Sequence, residues 1–381
     1  MFEPQHLSHI QDEVRRQTAD DASLLDELRQ DVRDHLQPSK GIRPHSVTAV
    51  SLVASDGGNN RLAFDPFSMQ LVRVVDSNGT QLFLDILSQR TDPDTLLQRH
   101  RSAGDDPLWG LMSDLGVEHL HELSPMIPTG EKVRKEPDDV SSSWVLVYRD
   151  LCEWAVLYQR LTKSTWGSHT LLVRDGLLRS KIFAGTKFIE MRDRIAVAIE
   201  DHRKRNINLY LVGLAKHSQV LARYRLALAL ENAMPPEMPR FVEVPRSVEQ
   251  RVYKWKEYAV GSEDESEGGE AAKYVMGSLF LVRFGERLHD PIWAVDLLEM
   301  QKDLAPQIFG YLLADAREGF PMPFYPRCLQ QAHEFAQIVD FDLDILQDTV
   351  LDAARGLVGE GEQGTFDALR LSPDVANRRY E

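Results

Sequence analysis

The chain has 381 residues and a mass of 43.4 kDa, enough for two ordinary domains or one large α/β domain with additions. Hydrophobic residues make up 43% and charged residues 27%, a globular composition with ample apolar material for a core. Lys and Arg number 44 against 59 Asp and Glu, a net charge of −15. That balance excludes a polyanion binder coated in positive charge and leaves nucleic acid only a local basic groove. Two cysteines, Cys152 and Cys328, exclude a disulfide framework and a Cys-built zinc site. No secretory signal is visible at the N-terminus and no apolar stretch has membrane-spanning length, so the expectation is a soluble, cytoplasmic protein with no membrane contact.

Residues 5 to about 36 read as one polar helix, with Leu7, Ile10, Val14, Leu24, Leu25, Leu28 and Val32 at helical spacings. Its excess of acids suits a solvated arm or an oligomerisation helix. The apolar run Val47–Val53 stops at Asp56-Gly57-Gly58. Residues 69–87 hold two β-rich runs split by Ser77-Asn78-Gly79, a strong hairpin signal. Three adjacent strands therefore open the domain. Short helices are expected at 94–101 and 107–116, and a loop from Pro125 to Ser143. Residues 143–162 read as a helix, 169–176 as a strand, 187–204 as a helix, 207–216 as a strand and 218–229 as a helix. Residues 246–259 read as helical. GSEDESEGGE (261–270) carries five acids and no base and reads as a solvated loop. Strands at 273–284 and 291–298 precede helices at 301–317, 324–338 and 343–356, and the tail from Gly359 reads as loose. The expected division is a helical arm (1–40), a main domain (41–357) and a tail (358–381). Strands alternating with helices indicate a mixed α/β sheet flanked by helices, with C-terminal helical additions.

Two strands end alike, in Val53-Ala54-Ser55-Asp56-Gly57 and Leu172-Val173-Arg174-Asp175-Gly176. Functional groups gather where strands of α/β sheets end. Two such Asp on adjacent strands could share a divalent cation, since hard cations prefer carboxylate oxygen. The bland alternative is that Asp-Gly is a common turn dipeptide. Glu153 lies near the apolar seam of the 143–162 helix, where a carboxylate is costly unless paired or metal-bound; the alternative is an exposed Glu beside Arg149 or Arg160. From Arg203 to Leu230 the chain holds six bases (Arg203, Lys204, Arg205, Lys216, Arg223, Arg225) and no acid. A basic belt on an acidic protein suits a phosphate-tracking groove, though arginines on a wet helix face look the same. GFPMPFYPRCLQQAHEFA (319–336) holds four aromatics and three prolines around the start of a helix, with Tyr325 and His333 eight residues apart.

At these residues the chain resembles the NurA family of nucleases. The matching pieces are VASDGGNNR (53–61), the Glu153 helix, LLVRDG (171–176), VGLAKHSQ (212–219) and MPFYPRCLQQAH (322–333). The resemblance implies an RNase H-like mixed sheet with acids at strand ends, and a manganese-dependent single-strand endonuclease and 5′→3′ exonuclease. It also implies a homodimer docked on the hexameric ATPase translocase HerA in DNA end processing, repair or defence. Asp56, Glu153 and Asp175 match the family's three acids, with Glu190 a competitor for the second. Tyr325 and His333 match its C-terminal Tyr and His, and Lys216 its strand-end Lys. Here His217 follows that Lys, and Asp-Gly-Gly replaces the commoner Asp-Gly-Ser.

On that reading Asp56, Glu153, Asp175 and His333 bind one or two Mn²⁺ ions, with Mg²⁺ the other candidate. Lys216 offsets phosphoryl charge, Tyr325 holds a phosphate or a water, and bases stack near Phe324 and Tyr325. Two rivals stand beside it. One is a nucleotide-binding module of the actin and sugar-kinase type, which SDGGNN (55–60) resembles. The other is a catalytically silent scaffold for a motor ATPase.

Overall fold

A computed structural model describes residues 3–36, 38–45, 50–64, 67–254, 273–338 and 340–371. The acidic stretch 261–270 and the last ten residues lie outside them. The first helical reading divides in two, α1 (Pro4–Asp20) and α2 (Ala22–His35), joined at Asp21. The difference matters because α2 is not a solvated arm. It buries Leu28, Val32 and Leu36 against Val220, Tyr224 and Leu228. The Tyr224 hydroxyl donates to Asp31 Oδ2 at 2.8 Å. The apolar residues of α1 (Leu7, Ile10 and Val14) remain exposed.

After the two-residue β1 (Lys40–Gly41) come β2 (Val50–Phe64), β3 (Phe67–Asp76) and β4 (Gln81–Ser88). The β3–β4 turn is the expected one. Gly79 adopts φ 79°, and Asp76 Oδ1 accepts from the backbone N–H groups of Asn78 (2.9 Å) and Thr80 (3.0 Å). A helical block follows: α3 (Pro93–Ser102), α4 (Pro107–Asp114), α5 (Leu120–Leu123), α6 (Gly130–Lys135) and α7 (Trp144–Thr162). Side-chain oxygens of Asp92, Asp106 and Thr129 cap α3, α4 and α6, each satisfying an N–H that the first turn leaves unpaired. The segment 125–143, read as loop, therefore contains a six-residue helix.

The remainder runs β5 (His169–Asp175), α8 (Lys187–Lys204), β6 (Leu209–Ala215), α9 (Gln219–Leu230), β7 (Arg240–Glu243), α10 (Arg246–Val252), β8 (Gly277–Arg283), β9 (Ile292–Leu298), α11 (Ala305–Ala316), α12 (Arg327–Ala336), α13 (Asp340–Arg355) and α14 (Gln363–Leu371). The tail read as loose thus holds a helix as far as Leu371.

The strands form one nine-stranded sheet in the order β1-β7-β8-β9-β6-β5-β2-β3-β4. Only β2–β5 and β5–β6 pair in parallel, and the other neighbours are antiparallel. The fold is therefore a mixed, mostly antiparallel sheet flanked by helices. Side chains alternate along β5, so Leu172 joins the apolar cluster of α7 and α8 on one face, and Leu171 and Val173 join that of α11 and α12 on the other. Every residue of β6 is buried, as expected of a strand covered on both faces. This double cover fixes the ends of the parallel strands, where the candidate site lies.

Candidate active site at the strand ends

Asp56 and Asp175 are 119 residues apart in sequence yet meet at one level of the sheet. The last parallel rung between β2 and β5 pairs Ser55 with Arg174. Asp56 and Asp175 each stand one residue beyond it, on strands about 4.8 Å apart. The two strands do not end alike, however. β5 stops at Asp175, whereas β2 continues through Gly57 and Gly58 to Phe64, paired with β3 throughout. Asp56 marks the point where β2 loses its parallel neighbour. Lys216 directly follows β6. Two acids and a lysine thus stand where the parallel pairing of β2, β5 and β6 stops, the end of such a sheet at which ligands bind.

Asp175 is the best defined of these. Lys216 Nζ donates to its Oδ2 at 2.8 Å, and the Tyr325 hydroxyl donates to its Oδ1 at 3.0 Å. The Asp175 side chain is 15% exposed, so its charge is held by two donors while still in reach of solvent. Tyr325 itself is fully buried. Its ring meets Trp293 edge-on at 4.9 Å and lies 5.2 Å from Lys216 Nζ. Burial removes Tyr325 from the base-stacking role read for it; what it presents is its hydroxyl. Phe324 is half-buried, packed against the α11–α12 cluster.

Glu153 sits on the other face. Arg174, one residue before Asp175, faces α7: its Nη2 donates to Asp150 Oδ1 at 2.7 Å and reaches Glu153 Oε2 at 3.4 Å. Its guanidinium carbon lies 4.4 Å from the centroid of the Trp154 ring. Arg149 Nε is 3.5 Å from Glu153 Oε1. The structure therefore pairs Glu153 with arginines and does not show it joined to Asp175. The competitor Glu190 is engaged by Lys187 at 3.0 Å and by Thr186 at 2.8 Å. His333 is exposed on α12, which packs over β2, and its Nε2 lies 3.3 Å from Gln337 Nε2. Among the described residues, no three His, Cys, Asp or Glu gather as a metal centre.

The basic belt does not form one groove. Arg203 and Lys204 lie at the end of α8 and pair with Glu200 (2.8 Å) and Asp201 (2.9 Å). With Arg205 they precede β6, whereas Lys216 follows it, roughly 20 Å away along the strand at about 3.3 Å per residue. Lys216 and Arg225 instead share a cleft of about 520 Å³ with His217, Ser218, Trp293 and the first turns of α9. Arg223 is exposed elsewhere on α9.

Two supporting residues escaped the sequence reading. Arg179, in the turn after Asp175, is fully buried with Asp296 and Glu249. Its Nε and Nη2 donate to the two Asp296 oxygens, both at 2.8 Å, tying the turn to β9 and α10. Gln330 clamps the loop before α12: its Oε1 accepts from Met322 N at 2.9 Å, and its Nε2 donates to the carbonyls of Met322 (3.0 Å) and Tyr325 (2.9 Å). An arginine directly after the apolar pair Leu177-Leu178 was the only signal for the first; nothing in the sequence marked the second.

No protein-family model matches the sequence, and no curated protein matches it. Solved structures that resemble the chain are NurA nuclease structures. The NurA nuclease from Sulfolobus solfataricus is 12% identical with a TM-score of 0.43, over 94% of this chain and 99% of that one. A NurA structure bound to dAMP and manganese is 11% identical with a TM-score of 0.38, over 96% and 100%. A NurA structure with manganese is 14% identical with a TM-score of 0.36, over 91% and 99%.

Proposed function

We propose that this chain is a divalent-metal-dependent DNA nuclease. The observation that carries the reading is the convergence where the parallel pairing of β2, β5 and β6 stops, with Asp56 and Asp175 at one register level and Asp175 held by Lys216 and Tyr325. The mixed run β4-β3-β2-β5-β6, with acids where its parallel strands stop, supports an RNase H-like core within 41–357.

The donor chemistry fits a hard cation. A carboxylate offers about four lone-pair sites, and Asp175 uses one for Lys216 and one for Tyr325. Asp56 and Asp175 are the residues that would hold Mn²⁺ or Mg²⁺, with His333 as the added nitrogen ligand; Glu153 joins only by exchanging its arginine partners. The cation would supply Lewis-acid polarisation of a phosphodiester and a more acidic water. The chain's own groups do the rest. Tyr325 fixes the Asp175 carboxylate in one rotamer. Lys216 sits where negative charge develops on the phosphate. The Lys216–Arg225 cleft carries the phosphates beyond it. The motif resemblance extends the proposal to single-strand endonuclease and 5′→3′ exonuclease action, to a homodimer and to a HerA-type ATPase partner.

The test is Mn²⁺-dependent cleavage of a single-stranded oligodeoxynucleotide by the full chain. Asp175→Ala and Asp56→Ala are expected to abolish cleavage with an unchanged circular dichroism spectrum. Undiminished cleavage by a clean Asp56→Ala preparation rejects the site. In the same assay a HerA-type ATPase is expected to raise the rate, and equal rates with and without it count against that partner.

A further inference from the structure

Phe320 is 84% exposed, yet it projects from a loop held by several hydrogen bonds. The loop 319–325 connects α11 to α12. Gln330 grips it through Met322 and Tyr325, and Trp293 Nε1 donates to the Phe324 carbonyl at 2.6 Å. Its far end delivers the Tyr325 hydroxyl to Asp175. Its near end folds back on the same residue: a Cβ added to Gly319 would collide with the Tyr325 carbonyl oxygen. Gly319 therefore packs directly against the Tyr325 backbone, and Phe320 follows it about 3.8 Å further along the same loop. Single exposed apolar residues are ordinary on protein surfaces. What distinguishes Phe320 is that its loop makes four backbone hydrogen bonds through Met322, Phe324 and Tyr325 while the Phe320 side chain buries almost nothing. The neighbouring aromatics are committed elsewhere, Tyr325 to Trp293 and Phe324 to the α11–α12 cluster.

Resting on the nuclease reading, we infer that Phe320 is the platform on which a nucleobase of single-stranded DNA stacks next to the scissile phosphate. A flat, uncharged ring accepts any base, because every base has a π face. It positions the strand without adding to the electrostatic attraction that Lys216 and Arg225 supply. Phe320 takes the stacking role that the sequence assigned to Phe324 and Tyr325, and it is a positioning residue, not a catalytic one.

The experiment measures binding of an oligodeoxynucleotide carrying one 2-aminopurine to the full chain in EDTA, where nothing turns over, alongside Mn²⁺-dependent cleavage of the same strand. Stacking quenches the probe. Phe320→Ala is expected to lose the quench and bind about 5- to 150-fold more weakly, the range of one base–aromatic stack, with the slope of affinity against salt unchanged because no charge is lost. Phe320→Trp is expected to restore both quench and affinity, and Phe320→Leu to restore neither. Wild-type cleavage together with a Phe320→Ala variant that binds and quenches like wild type overturns the inference and leaves the nuclease standing. A wild-type chain that neither binds nor cleaves single strands overturns both.

Discussion

At Asp175 a single carboxylate carries two donors from opposite ends of the chain's second half, and they are not equivalent. Lys216 brings charge that a phosphate can also claim, whereas Tyr325 brings a neutral hydroxyl from a fully buried ring. Tyr325→Phe keeps the ring against Trp293 and removes only that hydroxyl. A hydrogen bond to a charged group contributes about 1.5–3 kcal/mol, so the expected loss is about 10- to 100-fold in cleavage rate at low Mn²⁺, with partial recovery at saturating Mn²⁺. A metal titration of single-turnover rates checks it; a Tyr325→Phe variant with wild-type rates at every metal concentration shows the hydroxyl to be idle. Asp175, Lys216 and Tyr325 were legible in the sequence because each sits in a short pattern at a strand end or before a helix. The arginine pairing of Glu153 was not. Periodicity gives the face a helix residue occupies, but not which residue of a distant strand opposes it.

Three elements of the helical block and the strand β4 meet at one buried histidine. His100 of α3 places Nδ1 2.8 Å from Asp106, the cap of α4, and Nε2 2.8 Å from the Tyr148 hydroxyl on α7 and 3.2 Å from Asp85 on β4. Burial works against the imidazolium, but the carboxylates of Asp106 and Asp85 together outweigh it and raise the His100 pKa to about 9. A histidine raised above its unfolded value near 6.5 stabilises the fold fully below that value, and the contribution fades as pH rises through the folded pKa. The unfolding free energy from urea titration is therefore expected to fall between about pH 6.5 and pH 9, by an amount of order 3 kcal/mol at most, and the midpoint with it. His100→Gln should be less stable at pH 6 and should lack that decline. A wild-type midpoint flat across the window would show that His100 is not charged in the fold. The elements themselves were largely readable: the β3–β4 hairpin, α7 and β5 follow from turn chemistry and period. The misses share a cause. β7 and α5 have four residues each, too few to display a period, and α6 follows a proline-rich stretch that local pattern assigns to loop.

Across the whole molecule, sequence proximity misleads about charge. Arg203, Lys204, Arg205, Lys216, Arg223 and Arg225 form an acid-free stretch, but β6 carries the chain across the sheet between the third and the fourth. The strand order itself, with β9 inserted beside β6 and β2 returning beside β5, depends on contacts between residues far apart in the chain, and no local pattern records it. With a net charge of −15, a nuclease of the kind proposed would repel DNA over most of its surface and hold it through few cations. If Lys216, Arg225 and at most one further base touch phosphate, the slope of log affinity against log salt for single strands is about −1.5 to −2, at about 0.7 per contact. Arg225→Ala is expected to flatten it by about 0.7. Arg203→Ala combined with Lys204→Ala should leave it unchanged, because those side chains already pair with Glu200 and Asp201 at the other end of the strand. A slope steeper than about −5, or one that the Arg203/Lys204 pair flattens, would place the DNA along the far end of β6 and away from Asp175.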